Sequence, residues 1–190
     1  MSILKNINTE LRNSKSLGLD KMAISDAVNL MIEEEYNVIE ALKDQHINIT
    51  EVINNTSQAL KNGGRIIYVG AGTSGRLGIL DAVECPPTFS VDYNTVVALI
   101  AGGEKAFVQA VEGAEDDPLF AHNDLRGVDL TDKDIVIGIA ASGRTPYVIG
   151  AFDYAKQIGA KTVAISCSKN AKISEYADLV IEAVPGPEVL

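Results

Sequence analysis

Two short stretches of this chain carry the same hydroxyl-glycine-arginine triplet: Ser74-Gly75-Arg76, inside Gly70-Ala71-Gly72-Thr73-Ser74-Gly75, and Ser142-Gly143-Arg144, followed by Thr145. Each follows an apolar run and precedes a helical stretch. Such a corner offers backbone N–H groups at the positive end of a helix, glycine lets a ligand approach the backbone, and Ser and Thr add hydroxyl donors. These features suit a phosphate dianion. The segment Ile66–Arg76 aligns without gaps on Asp134–Arg144, a suggestive internal repeat. One such loop alone reads equally well as a tight turn with hydroxyl caps; the matching pair favours phosphate.

The first loop also satisfies the G-x-G-x-x-G dinucleotide pattern, and Asp92 lies about 20 residues on, where a ribose-binding acid belongs. That reading leaves Thr73, Ser74 and the second corner unexplained. Pro86-Pro87 also leave little room for a normal second strand before Asp92.

Acid and base groups must be carboxylates. With two His, two Cys and no Trp, a multi-histidine metal site is excluded, and Cys85 and Cys167 read as small buried apolar residues of a reduced protein. Glu84 is predicted near the end of the helix launched by the first loop, because Pro86-Pro87 stop it there. The negative pole of the helix and burial beside Cys85 would keep its carboxyl protonated; a solvated helix-end Glu is the competing reading. Glu115 lies among Glu112, Asp116 and Asp117, with Asp117-Pro118 as the cap and first turn of the next helix. Crowded like charges raise one carboxyl's pKa and make it a usable base, although spacing does not select one of the four. His46 and His122 lie away from both corners and read as non-catalytic.

Composition narrows the class. The 190 residues carry 16 Lys+Arg against 26 Asp+Glu, a net charge of -10, with 46% apolar and 5% aromatic residues. That describes one globular domain with an appendage, and argues against a nucleic-acid binder, which needs clustered cations and stacking rings. No basic leader or membrane-length apolar run is present, so a cytoplasmic location is expected.

The elements that must hold these groups follow from periodicity. A polar arm of about 20 residues leads into a helix from about Asp26, behind a Ser25 cap, to Asp44, and a second from Thr50 to Gly63-Gly64. Five β-branched runs follow: Ile66–Val69, Val96–Ile100, Asp134–Ile139, Thr162–Ser166 and Leu179–Val184. They are apolar throughout, as strands covered on both faces are, and most gaps hold a crossover helix, one of them beginning near Glu104. The expected fold is a three-layer α/β/α domain with a mostly parallel, about five-stranded flavodoxin-like sheet over residues 56–190, preceded by an arm and helical segment over 1–55. The last run meets Val184-Pro185-Gly186-Pro187 and the sequence stops at Leu190 with no following helix, so the chain is expected to be part of a longer protein.

The runs GGRIIYVGAGTSGRLGILDAVECPPTFSVDYNTVVALI (63–100), EGAEDD (112–117) and IVIGIAASGRTPYVIGA (135–151) closely resemble the N-acetylmuramic acid 6-phosphate etherase family of the sugar isomerase domain superfamily. Thr9-Glu10-Leu11-Arg12-Asn13 and Gly186-Pro187-Glu188-Val189-Leu190 fit too. The resemblance implies a lyase without metal or cofactor, acting as a homodimer. It would cleave the D-lactyl ether of N-acetylmuramic acid 6-phosphate to N-acetylglucosamine 6-phosphate and D-lactate in cell-wall amino sugar recycling. It also implies Glu84 as proton donor to departing lactate, Glu115 as the second acid/base, and Thr73, Ser74, Gly75, Ser142, Gly143 and Thr145 as the phosphate site. Which carboxylate takes the C2 proton stays open.

A geometric expectation belongs beside this. Ten helical residues separate Ser74 from Glu84, a rise of about 15 Å, beyond the reach from a hexose 6-phosphate to its own C3. Either Glu84 serves a neighbouring subunit or the helix breaks near Gly78. The alternative function is a non-catalytic sugar-phosphate-binding regulatory module, which would need neither Glu84 nor Glu115.

Overall fold

A computed structural model describes residues 11–190; the first half of the predicted arm lies outside the described residues. All five apolar runs form strands: β1 (Ile66–Gly70), β2 (Val96–Ile100), β3 (Ile135–Ile139), β4 (Lys161–Ser166) and β5 (Leu179–Glu182). They make one parallel sheet in the order β2-β1-β3-β4-β5. Helices α1 (Ile24–Asp44), α2 (His46–Lys61), α3 (Gly72–Phe89), α4 (Lys105–Val108), α5 (Pro118–Gly127) and α6 (Pro146–Ile158) complete the three layers.

Alternation within each strand sorts the core into two slabs. Ile67, Val69, Val136 and Ala164 face Leu125 of α5 and Tyr147, Val148 and Phe152 of α6. Ile135, Ile137, Val163 and Ile181 face Val52 of α2. Helix α3 lies on that second side, where a Cβ on Gly78 would come within 2.8 Å of Tyr68 Cβ. Gly138 of β3 does the same for α6: a side chain there would meet Phe152 and Val148 at about 2.5 Å.

Several boundaries differ from expectation. Helix α1 starts before Ser25, with Ala23 at the cap and no side-chain cap bond. Helix α2 starts at His46, and Thr50 sits inside it, its hydroxyl donating to the His46 carbonyl at 2.8 Å. Because α2 carries Val52 onto the sheet, the helical preface shares a core with the strands. The helix expected near Glu104 is the single turn α4. Strand β5 is covered on one face by α2, through Ile181 against Val52, without a following helix. Helix α3 runs through Pro86 and Pro87 to Phe89 and ends at left-handed Ser90, whose N–H donates to the Pro86 carbonyl at 2.9 Å. The prolines lie in its final turn, where they remove the two N–H donors that would have met the Ala82 and Val83 carbonyls but leave no long stretch of helix beyond them to disrupt.

Two carboxylates, one of them buried, clamp the N-terminal edge of the sheet. Asp134, 2% exposed, accepts from Arg65 N (2.8 Å), Nε (3.2 Å) and Nη2 (2.8 Å) and from Thr131 N (2.9 Å). Arg65 also donates to the Val128 and Asp129 carbonyls. Asp178 repeats the device, accepting from Thr162 N and Oγ1 at 2.9 Å each. Burial pushes the Asp134 carboxyl up, but Arg65 and the Thr131 and Arg65 N–H donors outweigh it, so the carboxyl sits below the ordinary aspartate range. A pKa depressed on folding contributes stability above the unfolded value, and that contribution is lost as pH falls through the folded one. Asp134→Asn is therefore expected to cost about 2–3 kcal/mol at neutral pH, since it leaves a partly buried guanidinium without its charge partner. Denaturant unfolding checks this, and the deficit should shrink as both proteins are taken below the ordinary aspartate range; a pH-independent deficit contradicts it.

Candidate functional site

The strand order reverses direction between β1 and β3: the chain leaves β1 for β2 on one side, then returns to β3 on the other. Helix α3 leaves β1 on one face of the sheet and α6 leaves β3 on the opposite face. The crevice at the carboxyl ends of such a strand pair is where open α/β folds bind ligands. Both hydroxyl-glycine-arginine triplets open onto it, because Gly70 of β1 stands beside Ile139 of β3.

The two corners are not copies, contrary to the gapless alignment. That alignment sets Ile67 over Ile135, whereas the sheet pairs Ile67 with Val136 and buries Ile135 on the other face. The first corner is short: β1 ends at Gly70, Ala71 is extended, and α3 begins at Gly72 with φ +52°. Thr73 and Ser74 therefore lie in the first helical turn, whose N-cap has no side-chain bond and whose leading N–H groups have no intrahelical acceptor. Gly75 comes next, and a Cβ on it would meet Ile100 Cγ1 at 2.7 Å and the Gly70 carbonyl at 2.8 Å, so the helix can reach the strand this closely only with glycine there.

The second corner is longer. Residues 140–145 separate β3 from α6, so Ser142 and Gly143 sit in the loop and Thr145 at the N-cap. The α6 terminus is already engaged, contrary to the expectation of a free helix end. Pro146 has no N–H, Tyr147 N donates to the Glu115 carbonyl at 3.0 Å, and Val148 N to the Thr145 carbonyl at 3.1 Å. What this corner offers an anion is the loop itself and the Ser142 and Thr145 hydroxyls. Its shape is fixed from beneath: Gly143, at φ +70°, lies against Ala171, and its carbonyl accepts from Ile173 N at 2.9 Å. That supporting loop is in turn held by Glu182, which accepts from Asn170 N, Ala171 N and Ser174 Oγ.

The two carboxylates stand very differently. Glu115 is exposed, its backbone pinned to the start of α6, and it lines a cavity of about 190 Å³ with Gly72 and Arg76 of the first corner. The fold thus brings Glu115 to both corners. Glu84 is exposed, on an α3 unbroken from Gly72 to Phe89, so the expected break at Gly78 does not occur and its distance of about 15 Å from Ser74 stands. Within one chain Glu84 is the solvated helix-end residue of the competing reading, beside half-buried Cys85 and Pro86. Cys167 is half-buried as well, rather than a core residue. Asp92, the candidate ribose ligand, precedes β2 at the opposite edge of the sheet and accepts from Asn94 N at 2.8 Å, so the dinucleotide reading loses its acid.

Arg76 was read only as part of a motif, yet it joins these parts. Its Nε donates to the Phe107 carbonyl and its Nη2 to the Ala106 carbonyl, both at 2.9 Å. The guanidinium thereby fastens the segment leading to Glu115 onto the first turns of α3. Arg76→Ala should speed limited proteolysis within residues 103–116 about tenfold at unchanged global stability, since two charge-assisted bonds are lost from a surface segment. An unaltered cleavage rate contradicts the latch.

Comparison with known proteins agrees with this fold. The family model described as the glucokinase regulatory protein N-terminal SIS domain matches residues 48–156. A protein of Francisella tularensis subsp. tularensis named N-acetylmuramic acid 6-phosphate etherase is 76% identical over 190 residues, all of this chain and 65% of that protein. The chain thus spans about 65% of the length of that relative. Among solved structures, a phosphoheptose isomerase from Francisella tularensis superposes with a TM-score of 0.66 at 19% identity, covering 85% of this chain and 86% of that one. The Vibrio vulnificus NanR protein complexed with ManNAc-6P does so with 0.56 at 14% identity, covering 88% and 56%. The chain belongs to the sugar isomerase (SIS) domain family, grouping there with proteins named N-acetylmuramic acid 6-phosphate etherase.

Proposed function

We propose that the protein is a lyase that converts N-acetylmuramic acid 6-phosphate and water to N-acetylglucosamine 6-phosphate and D-lactate, in cytoplasmic catabolism of cell-wall amino sugars. The observation that carries this reading is the meeting of two hydroxyl corners and Glu115 at one crevice, in a chain 76% identical to a protein of that name. Thr73, Ser74 and Gly75, with Ser142, Gly143 and Thr145, bind the 6-phosphate through N–H and hydroxyl donors.

Anchored there, the ring-opened sugar presents an ether beta to its aldehyde. A carboxylate removes the C2 proton, the C3–O bond breaks, and the departing lactate oxygen takes a proton from a carboxylic acid. Water then adds at C3 and C2 regains a proton, which balances the overall hydrolysis. Glu84 acts as proton donor to lactate and Glu115 as the second acid/base. Two carboxylates and a phosphate anchor suffice for this route, without metal or nicotinamide.

Glu84 enters the crevice from a second copy in a homodimer. It shares one face of α3 with Leu77 and Leu80, which are 56% and 49% exposed in the single chain. Ile32 and Tyr36 of α1 are likewise exposed, so two helices each carry large apolar side chains that the single chain leaves uncovered. No helix among the described residues is long and apolar enough to cross a membrane.

Turnover in deuterated water tests the chemistry. Released lactate with deuterium at C2 of the product is expected; lactate release without deuterium contradicts elimination through C2. Glu84→Gln and Glu115→Gln should each lower kcat at least about a hundredfold with little change in affinity for the sugar phosphate. Binding of sugar phosphate without lactate release under any condition would favour the regulatory module.

A further inference from the structure

The two arginines of the matching triplets have different fates. Arg76 is committed to the carbonyls of Ala106 and Phe107. Arg144 is uncommitted: its Nε is shut off from solvent without a hydrogen-bond partner, and it pairs with no carboxylate among the described residues. The contrast follows from the backbone. Arg76 lies within α3, beside the segment it holds, whereas Arg144 lies in the loop ahead of α6, between Gly143 and Thr145. A half-buried guanidinium with no carboxylate partner among the described residues leaves its charge unmet by the fold, and an anion that reaches its Nη groups offsets that cost.

On the etherase reading above, the substrate carries two anions. The phosphate is met by Thr73, Ser74, Ser142 and Thr145 with backbone N–H groups. The second anion is the carboxylate of the lactyl group, for which those hydroxyls make no provision. We infer that Arg144 is the specificity residue for this carboxylate, receiving it on the two terminal Nη groups of its guanidinium, since Nε is closed to solvent. A forked guanidinium matches a carboxylate with two parallel N–H···O bonds, which an ammonium cannot reproduce. The assignment also serves the reaction. Product N-acetylglucosamine 6-phosphate differs from substrate by the lactyl group alone, so a residue that reads the carboxylate separates substrate from product and steadies lactate as it leaves.

The test compares two ligands in proteins that do not turn over. In a Glu115→Gln background, N-acetylmuramic acid 6-phosphate and N-acetylglucosamine 6-phosphate are titrated calorimetrically against Arg144, Arg144→Lys and Arg144→Met. Arg144→Met should weaken the lactyl-bearing ligand about 10–100-fold while holding the other within about twofold, and Arg144→Lys should fall between. Retained binding of N-acetylglucosamine 6-phosphate shows in the same experiment that the variants are folded. Equal weakening of both ligands, or of neither, overturns the assignment and leaves the etherase reading standing. A parent protein that binds neither sugar phosphate overturns both.

Discussion

Parallel pairing of β1 with β3 at the middle of the sheet is the constraint from which the site follows. The register sets Gly70 beside Ile139, so the chain leaves two adjacent strands at one level and must diverge to opposite faces. The opening between the diverging segments is where backbone donors go unmatched by the fold itself. On the first side α3 starts one residue after its strand and presents its own terminus. On the second, α6 starts late and spends its terminus on Glu115, which draws the acidic segment over the crevice. One geometric accident of strand order thus supplies an anion site and brings a carboxylate to it.

The opposite edges of the sheet have opposite chemistry. At the N-terminal edge, buried Asp134 accepts from N–H donors on both carboxylate oxygens and Asp178 accepts from Thr162, so both carboxylates serve the fold itself. At the C-terminal edge, the hydroxyls of the two corners and the Arg144 guanidinium are the groups the fold does not use up. A net charge of -10 is compatible with an anionic ligand because the attraction is local, from aligned N–H groups and one arginine, rather than from the overall field.

The strands were readable from the sequence within one or two residues, since segments buried on both faces stay mostly apolar rather than alternating. Helix ends were less so. Nothing local distinguishes Ser25 as a cap from Ser25 within a first turn, and Pro86-Pro87 reads as a stop although the helix runs one turn further, to Phe89. The repeat was misleading for a similar reason: sequence identity at Ser-Gly-Arg hides a difference in loop length that only strand register reveals. Glu115 stood out as one acid among four, and it was the Tyr147 N–H, a tertiary contact invisible in one dimension, that fixed its place. The separate duties of Arg76 and Arg144 were unreadable on the same grounds, because each depends on which distant backbone lies within reach.

An unbroken α3 makes the position of Glu84 the sharpest consequence of the structure. If one chain supplies the corners and Glu115 and the second copy supplies Glu84, then two inactive proteins should repair each other. The direct measurement is activity after dissociating, mixing and reassociating equal amounts of Glu84→Gln and Glu115→Gln proteins. Action across the dimer gives every mixed dimer one intact site, so the mixture should recover about a quarter of the unsubstituted activity under random pairing. Action within a chain leaves each site with one lesion, and a mixture no more active than its separate components would contradict the shared site.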